Sequence, residues 1–83
     1  MKFYKFYADW CGPCKVLTAN LEKAGVEYEA IDIEENEDIC ANYNIRNVPV
    51  FMALDDNDKE IDRFVGIKTP IAIKEWIESL KNE

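Results

Sequence analysis

Trp10-Cys11-Gly12-Pro13-Cys14 constrains this chain more than any other stretch. Upstream, Met1 to Ala8 is rich in aromatics and alternates as a strand does, with Phe3, Lys5 and Tyr7 on one face and Lys2, Tyr4 and Phe6 on the other. Downstream, Cys14, Leu17, Leu21 and Ala24 recur at helical spacing, and Gly25 stands where a left-handed residue stops a helix. Asp9 to Cys14 is then a strand-to-helix turn, with Pro13 where a helix can begin. Two thiols at such a junction demand a fold that leaves the turn accessible.

The remaining pattern extends the alternation. Val26 to Ile33 reads as a second strand, and acidic Glu34 to Asp38 leads into a short helix through Tyr43 with Ile39 and Tyr43 four apart. The acidic residues suit the positive end of that helix's dipole. Asn44 to Asn47 is a loop, Val48 to Leu54 an apolar strand, Asp55 to Asp58 a turn and Glu60 to Val65 its hairpin partner, across a loop of about five residues. After the loop Gly66 to Thr69, Thr69 caps a last helix with Pro70 at its first position and a stripe of Ile73, Trp76, Ile77 and Leu80. The order βαβαββα predicts an α/β fold. Its four-stranded mixed sheet has parallel pairing in the first half, an antiparallel hairpin in the second and three flanking helices. No repeat or linker divides residues 1–83, so one domain is expected.

Composition removes whole classes of function. Ten Lys and Arg against seventeen Asp and Glu give a net charge of -7. An acidic surface argues against binding nucleic-acid backbones or anionic lipid. There is no histidine, which excludes Ser-His-Asp and Cys-His catalysis and nearly every mixed His/Cys metal site. Three cysteines are too few for a disulfide framework, and their odd number fits a reducing compartment. The start Met1-Lys2-Phe3-Tyr4-Lys5 is too polar for a signal segment, and no apolar run approaches the ~18 residues of a membrane span. A cytoplasmic monomer without bound metal or cofactor is expected.

The two thiols can close a disulfide or stand as a dithiol. Cys11 falls in the N-cap region, where unpaired N–H groups and the helix dipole favour negative charge and draw its ionisation toward neutral pH. Cys14, one turn inside, is expected to be more buried and to hold its proton longer. Cys11 then attacks a substrate disulfide, and Cys14 resolves the mixed disulfide. Gly12 leaves room for a substrate chain, and Pro13 stiffens the turn. Half a zinc site is the alternative, but it needs two more ligands and only Cys40 and carboxylates remain. A merely structural disulfide closing so short a loop would stabilise little.

The run Ala8 to Lys15 after a strand resembles the thioredoxin active site. The likeness continues in Ile45-Arg46-Asn47-Val48-Pro49, which is similar to the thioredoxin loop ending in a cis-proline, and in Val65-Gly66 before the last helix. It runs the length of the chain in family order, without the N-terminal strand and helix that thioredoxins usually carry. The resemblance implies a cis Pro49 packed on the disulfide and a Val48 whose backbone N–H and carbonyl receive an extended substrate. It further implies a Gly66 that lets the substrate pass closely, and an apolar rim of Trp10 and Ile67 around Cys11. The competing roles are an ordinary trans proline at an edge strand, a plain turn glycine and a core tryptophan. The implied activity is protein-disulfide reduction, with re-reduction by an NADPH-dependent thioredoxin reductase and delivery of electrons to proteins such as ribonucleotide reductase.

The chain departs from that family at one buried position. Thioredoxins place an acid six residues before the nucleophilic cysteine; here that residue is Lys5, and the usual lysine partner corresponds to Ala30. A charged Lys5 would favour thiolate; a desolvated, neutral one could accept the Cys14 proton. A third outcome is a packed stem whose ammonium reaches solvent at the sheet edge. Cys40, beside Ile39, reads as a small buried thiol, with a regulatory or dimer-forming thiol as the alternative. The acidic runs at 34–38 and 55–58 read as solvated, since the second lacks the glycine and terminal glutamate of a calcium loop. A glutathione-coupled glutaredoxin is disfavoured by Val48, where that family usually has Thr, and by the lack of its paired glycine and Asp. A non-catalytic binding subunit of the same fold is the remaining alternative.

Overall fold

The computed structural model describes residues 1–81. Its elements are β1 (Lys2–Tyr7), α1 (Gly12–Ala24), β2 (Glu29–Asp32), α2 (Glu37–Asn42), β3 (Val50–Leu54), β4 (Glu60–Val65) and α3 (Pro70–Lys81). The strands form one sheet in the order β2-β1-β3-β4. β1 pairs with β2 in parallel, while β1–β3 and β3–β4 are antiparallel, so the expected mixed sheet with three helices forms.

Alternation along β1 divides its side chains between two apolar layers. Tyr4 and Phe6 join Ile31, Val50, Met52 and Leu54 against Ile39, Tyr43 and Ile45 on the α2 side. Phe3 joins Phe51, Leu17, Leu21, Phe64, Ile73 and Trp76 on the side of α1 and α3. Phe51 is central there: it stacks on Phe3 at 5.4 Å between centroids and meets Tyr28, Phe64 and Trp76. Each such large side chain removed from water contributes about 1.5–3 kcal/mol. The β3 run Val50–Leu54 is buried on both faces, which is why it reads as an unbroken apolar stretch.

Three strands are shorter than the sequence predicts, β1 by one residue at each end. The β1–β2 ladder begins only at Tyr4–Glu29, because Val26 and Tyr28 turn aside to pack on the α1 and α3 layer. β3 starts at Val50 rather than Val48, since Pro49 has no N–H to give a ladder. The acidic segment leads into α2 as expected, with 34–36 ahead of the helix and Glu37 and Asp38 in its first turn. The hairpin turn is held by Asp55, whose Oδ1 accepts from the Asn57 and Lys59 N–H groups at 2.8 and 3.0 Å. α1 ends at Gly25 in the left-handed conformation, φ 71°. Thr69 caps α3, its Oγ1 accepting from Ala72 N–H at 3.2 Å. No described helix is long and apolar enough to cross a membrane.

Candidate active site

β1 runs into the turn at Ala8, and the carbonyl of Ala8 accepts from the Cys11 N–H at 3.1 Å. That bond folds the chain back so that Cys11 becomes the N-cap of α1, with extended backbone and Pro13 in the first turn. Cys11 and Cys14 are joined as a disulfide with Cα atoms 5.3 Å apart. The Cys14 N–H donates to Cys11 Sγ at 3.1 Å. One of the helix's orphan donors is thus aimed at the first sulfur, in the place where a serine or aspartate oxygen would cap.

Both cysteines are buried in this disulfide state, Cys11 at 4% and Cys14 at 3% exposure. The expected contrast, with Cys11 facing water and Cys14 hidden, is therefore corrected. Ala8 is buried with the pair and Tyr7, Ile33 and Val48 pack against it, and what distinguishes the sulfurs is the hydrogen bond and the helix terminus. Gly12 and Pro13 lie exposed, and a Cβ on Gly12 would meet nothing within 4 Å.

The Val48–Pro49 peptide is cis and Pro49 is fully buried, in keeping with the expectation for this loop. Val48 packs against the cysteine cluster. Among the described residues its N–H and carbonyl take no part in the backbone bonds of the loops. The Pro49 carbonyl accepts from the Gly66 N–H at 2.9 Å, which brings the two distant loops together. Gly66 adopts φ 92°, a conformation that a side chain resists. Trp10 is 69% and Ile67 48% exposed, so Trp10 is not a core aromatic. A cleft of about 260 Å³ runs beside it, lined by Trp10, Ile33, Ile45, Arg46, Asn47 and Val48.

Lys5 lies beneath the α1 start rather than at the sheet edge. Its Nζ donates to Thr18 Oγ1 and, at 3.4 Å, to the Tyr28 hydroxyl, and it sits over the rings of Tyr7 and Tyr28. Thr18 Oγ1 in turn donates to the Cys14 carbonyl at 3.0 Å. Ala30 pairs with Lys5 across the β1–β2 ladder and supplies no charge. Thr18 and Tyr28 were not singled out in the sequence. Thr18 could have been, standing one turn after Cys14 on the face that β1 covers, whereas Tyr28 has no such signal because it leaves the strand pattern.

Cys40 is half-buried on α2. Burial, and then the charges of Asp32 and Glu37, raise its thiol above the ordinary range. No cluster of metal-ligating side chains occurs among the described residues.

A family model described as thioredoxin matches residues 3–79. The mitochondrial thioredoxin of Mus musculus is 35% identical over 81 residues, an alignment covering 90% of this chain and 48% of the relative. The chain spans about half the length of several curated relatives that it matches. The SPbeta prophage-derived thioredoxin-like protein YosR of Bacillus subtilis is 30% identical over 81 residues, covering 98% of this chain and 100% of its own. Among solved structures, a mutant thioredoxin from Halobacterium salinarum superposes with a TM-score of 0.82 at 33% identity, covering 94% of this chain and 72% of that one.

Proposed function

The chain belongs to the thioredoxin family, and from that premise we propose that it is a thiol-disulfide oxidoreductase working as a protein-disulfide reductase. In the reduced protein the Cys11 thiolate attacks a substrate disulfide. A Cys11–substrate disulfide forms, and the first substrate thiolate leaves with one electron pair. The Cys14 thiolate then attacks Cys11 Sγ, closing the Cys11–Cys14 bond and expelling the second substrate thiolate. Two electrons pass to the substrate, whose thiolates take two protons from water.

The observation that carries this proposal is the placement of a closed Cys11–Cys14 pair at the α1 terminus, beside a Val48 backbone left without loop partners. An extended substrate segment can add to that backbone as a short strand, with Trp10 and Ile67 offering apolar contact and Gly66 close passage. The redox centre is the pair of sulfurs itself. An NADPH-dependent thioredoxin reductase is the proposed electron source and protein disulfides are the proposed substrates, ribonucleotide reductase among them. A reducing compartment such as the cytoplasm belongs to the same proposal and rests on the cysteine usage.

The experiment is reduction of a protein disulfide by the chain, supplied either with thioredoxin reductase and NADPH or with glutathione alone. Turnover with the reductase, abolished by Cys11→Ser, is expected. Turnover with glutathione alone would make it a glutaredoxin, and full biological activity in the Cys11→Ser, Cys14→Ser double variant would make it a binding subunit.

A further inference from the structure

Lys5 is the one charged side chain buried among the described residues, at 6% exposure. A buried ammonium is costly unless its surroundings compensate it. Here the compensation is neutral: the hydroxyls of Thr18 and Tyr28 accept from it, and the faces of the Tyr7 and Tyr28 rings lie 5.3 and 5.0 Å from Nζ. No carboxylate pairs with it among the described residues. No direct ion pair therefore cancels its charge, and the redox residue that shares its surroundings is Cys14. Lys5 and Cys14 line one cavity of about 190 Å³, with Tyr7, Asp9, Lys15 and Thr18. Thr18 joins the two directly, accepting from Lys5 and donating to the Cys14 carbonyl.

We propose that Lys5 is a positioning residue that supplies a positive charge behind Cys14, favouring its thiolate and so stabilising the reduced dithiol over the disulfide. The other charges facing this cavity do not replace it. Asp9 and Lys15 are exposed, opposite in sign and screened by water, while Tyr7 and Tyr28 contribute ring faces and one hydroxyl. Disulfide closure discharges the Cys14 thiolate and removes that anion from the Lys5 side of the cavity; reduction restores it. A cation there also prepares Cys14 for the resolving attack, because the thiolate is the nucleophile. The inference rests on the redox role proposed for Cys11 and Cys14.

The test compares wild type with Lys5→Met and Lys5→Gln, which remove the charge, and Lys5→Arg, which keeps it. Cys14 ionisation in the reduced proteins is followed through its Cβ chemical shift, and the dithiol is equilibrated with glutathione across pH. Both neutral variants are expected to ionise Cys14 about one pH unit higher. They are also expected to shift the equilibrium toward disulfide by about tenfold where the dithiol is ionised and little where it is protonated. Lys5→Arg is expected to titrate as wild type does. Either neutral variant suffices if the other fails to fold. Unchanged Cys14 ionisation in a folded neutral variant, or an Arg variant displaced as far as the neutral ones, would overturn the proposal. A dithiol that fails to exchange with glutathione at all would instead count against the redox role, and the titration would still decide Lys5.

Discussion

The Cys14 N–H points at Cys11 Sγ from 3.1 Å. When Cys11 is a thiolate the same donor meets a full negative charge, and a charge-assisted hydrogen bond is roughly twice as strong as a neutral one. No equivalent backbone donor is directed at Cys14 Sγ among the described residues. The two sulfurs, equally buried as a disulfide, thus differ in what they offer as anions, and the difference comes from the cap position rather than from exposure.

Gly66 ties the cis-proline loop to the end of β4 while holding φ at 92°. A Cβ there would meet no atom within 4 Å, so the cost of Gly66→Ala is conformational, about 1–3 kcal/mol. Urea denaturation is expected to show that loss of stability. If the substrate passes Gly66 as proposed, the methyl group is expected to raise KM for protein disulfides more than for a small disulfide.

Trp10 is 69% exposed, so its removal leaves no core cavity. Trp10→Ala is expected to keep the stability of the fold within about 0.5 kcal/mol. Its KM for protein disulfides should rise severalfold, with the ionisation of Cys11 unchanged. Steady-state kinetics beside a thiol titration separates these effects.

Cys40 carries a thiol that burial, Asp32 and Glu37 keep protonated at neutral pH. It is expected to react more slowly with iodoacetamide than an unperturbed cysteine near pH 7 and to gain reactivity steeply as pH rises. Cys40→Ala should leave disulfide reduction unaltered.

Stability is expected to fall on the acid side through the hairpin. Asp55 is held below the ordinary carboxylate range by N–H donors of Lys59 and Asn57, and Glu60 by the Arg63 guanidinium. Groups depressed in the folded state add stability above their unfolded values, about pH 4, and lose it as pH falls through the folded ones. On the alkaline side Cys40 and Tyr43 are raised, chiefly by burial, so they withdraw stability as pH climbs past their unfolded values. Denaturation midpoints across pH should trace this dome, and Glu60→Gln should soften its acid limb.

Much of this arrangement is legible in the sequence because local rules and tertiary demands agree. Thr69-Pro70 marks the start of α3, Gly25 closes α1, and the alternation of β1 assigns Phe3 and Phe6 to opposite layers, as found. Legibility fails where packing overrides local pattern. Tyr28 looks like a strand residue, yet its ring is used against Phe51 and Lys5. Cys11 looks exposed from its turn, yet Ile33 and Val48 arrive from distant loops to cover it. The environment of Lys5 could not be read either, because a buried cation solvated by hydroxyls and ring faces has no sequence signature.

The decisive measurement is the order in which the reduced protein's cysteines react with limiting iodoacetamide at neutral pH, read peptide by peptide by mass spectrometry. Cys11 is expected to be modified first and Cys40 slowly. Modification of Cys14 ahead of Cys11 would contradict the division of roles between the two sulfurs.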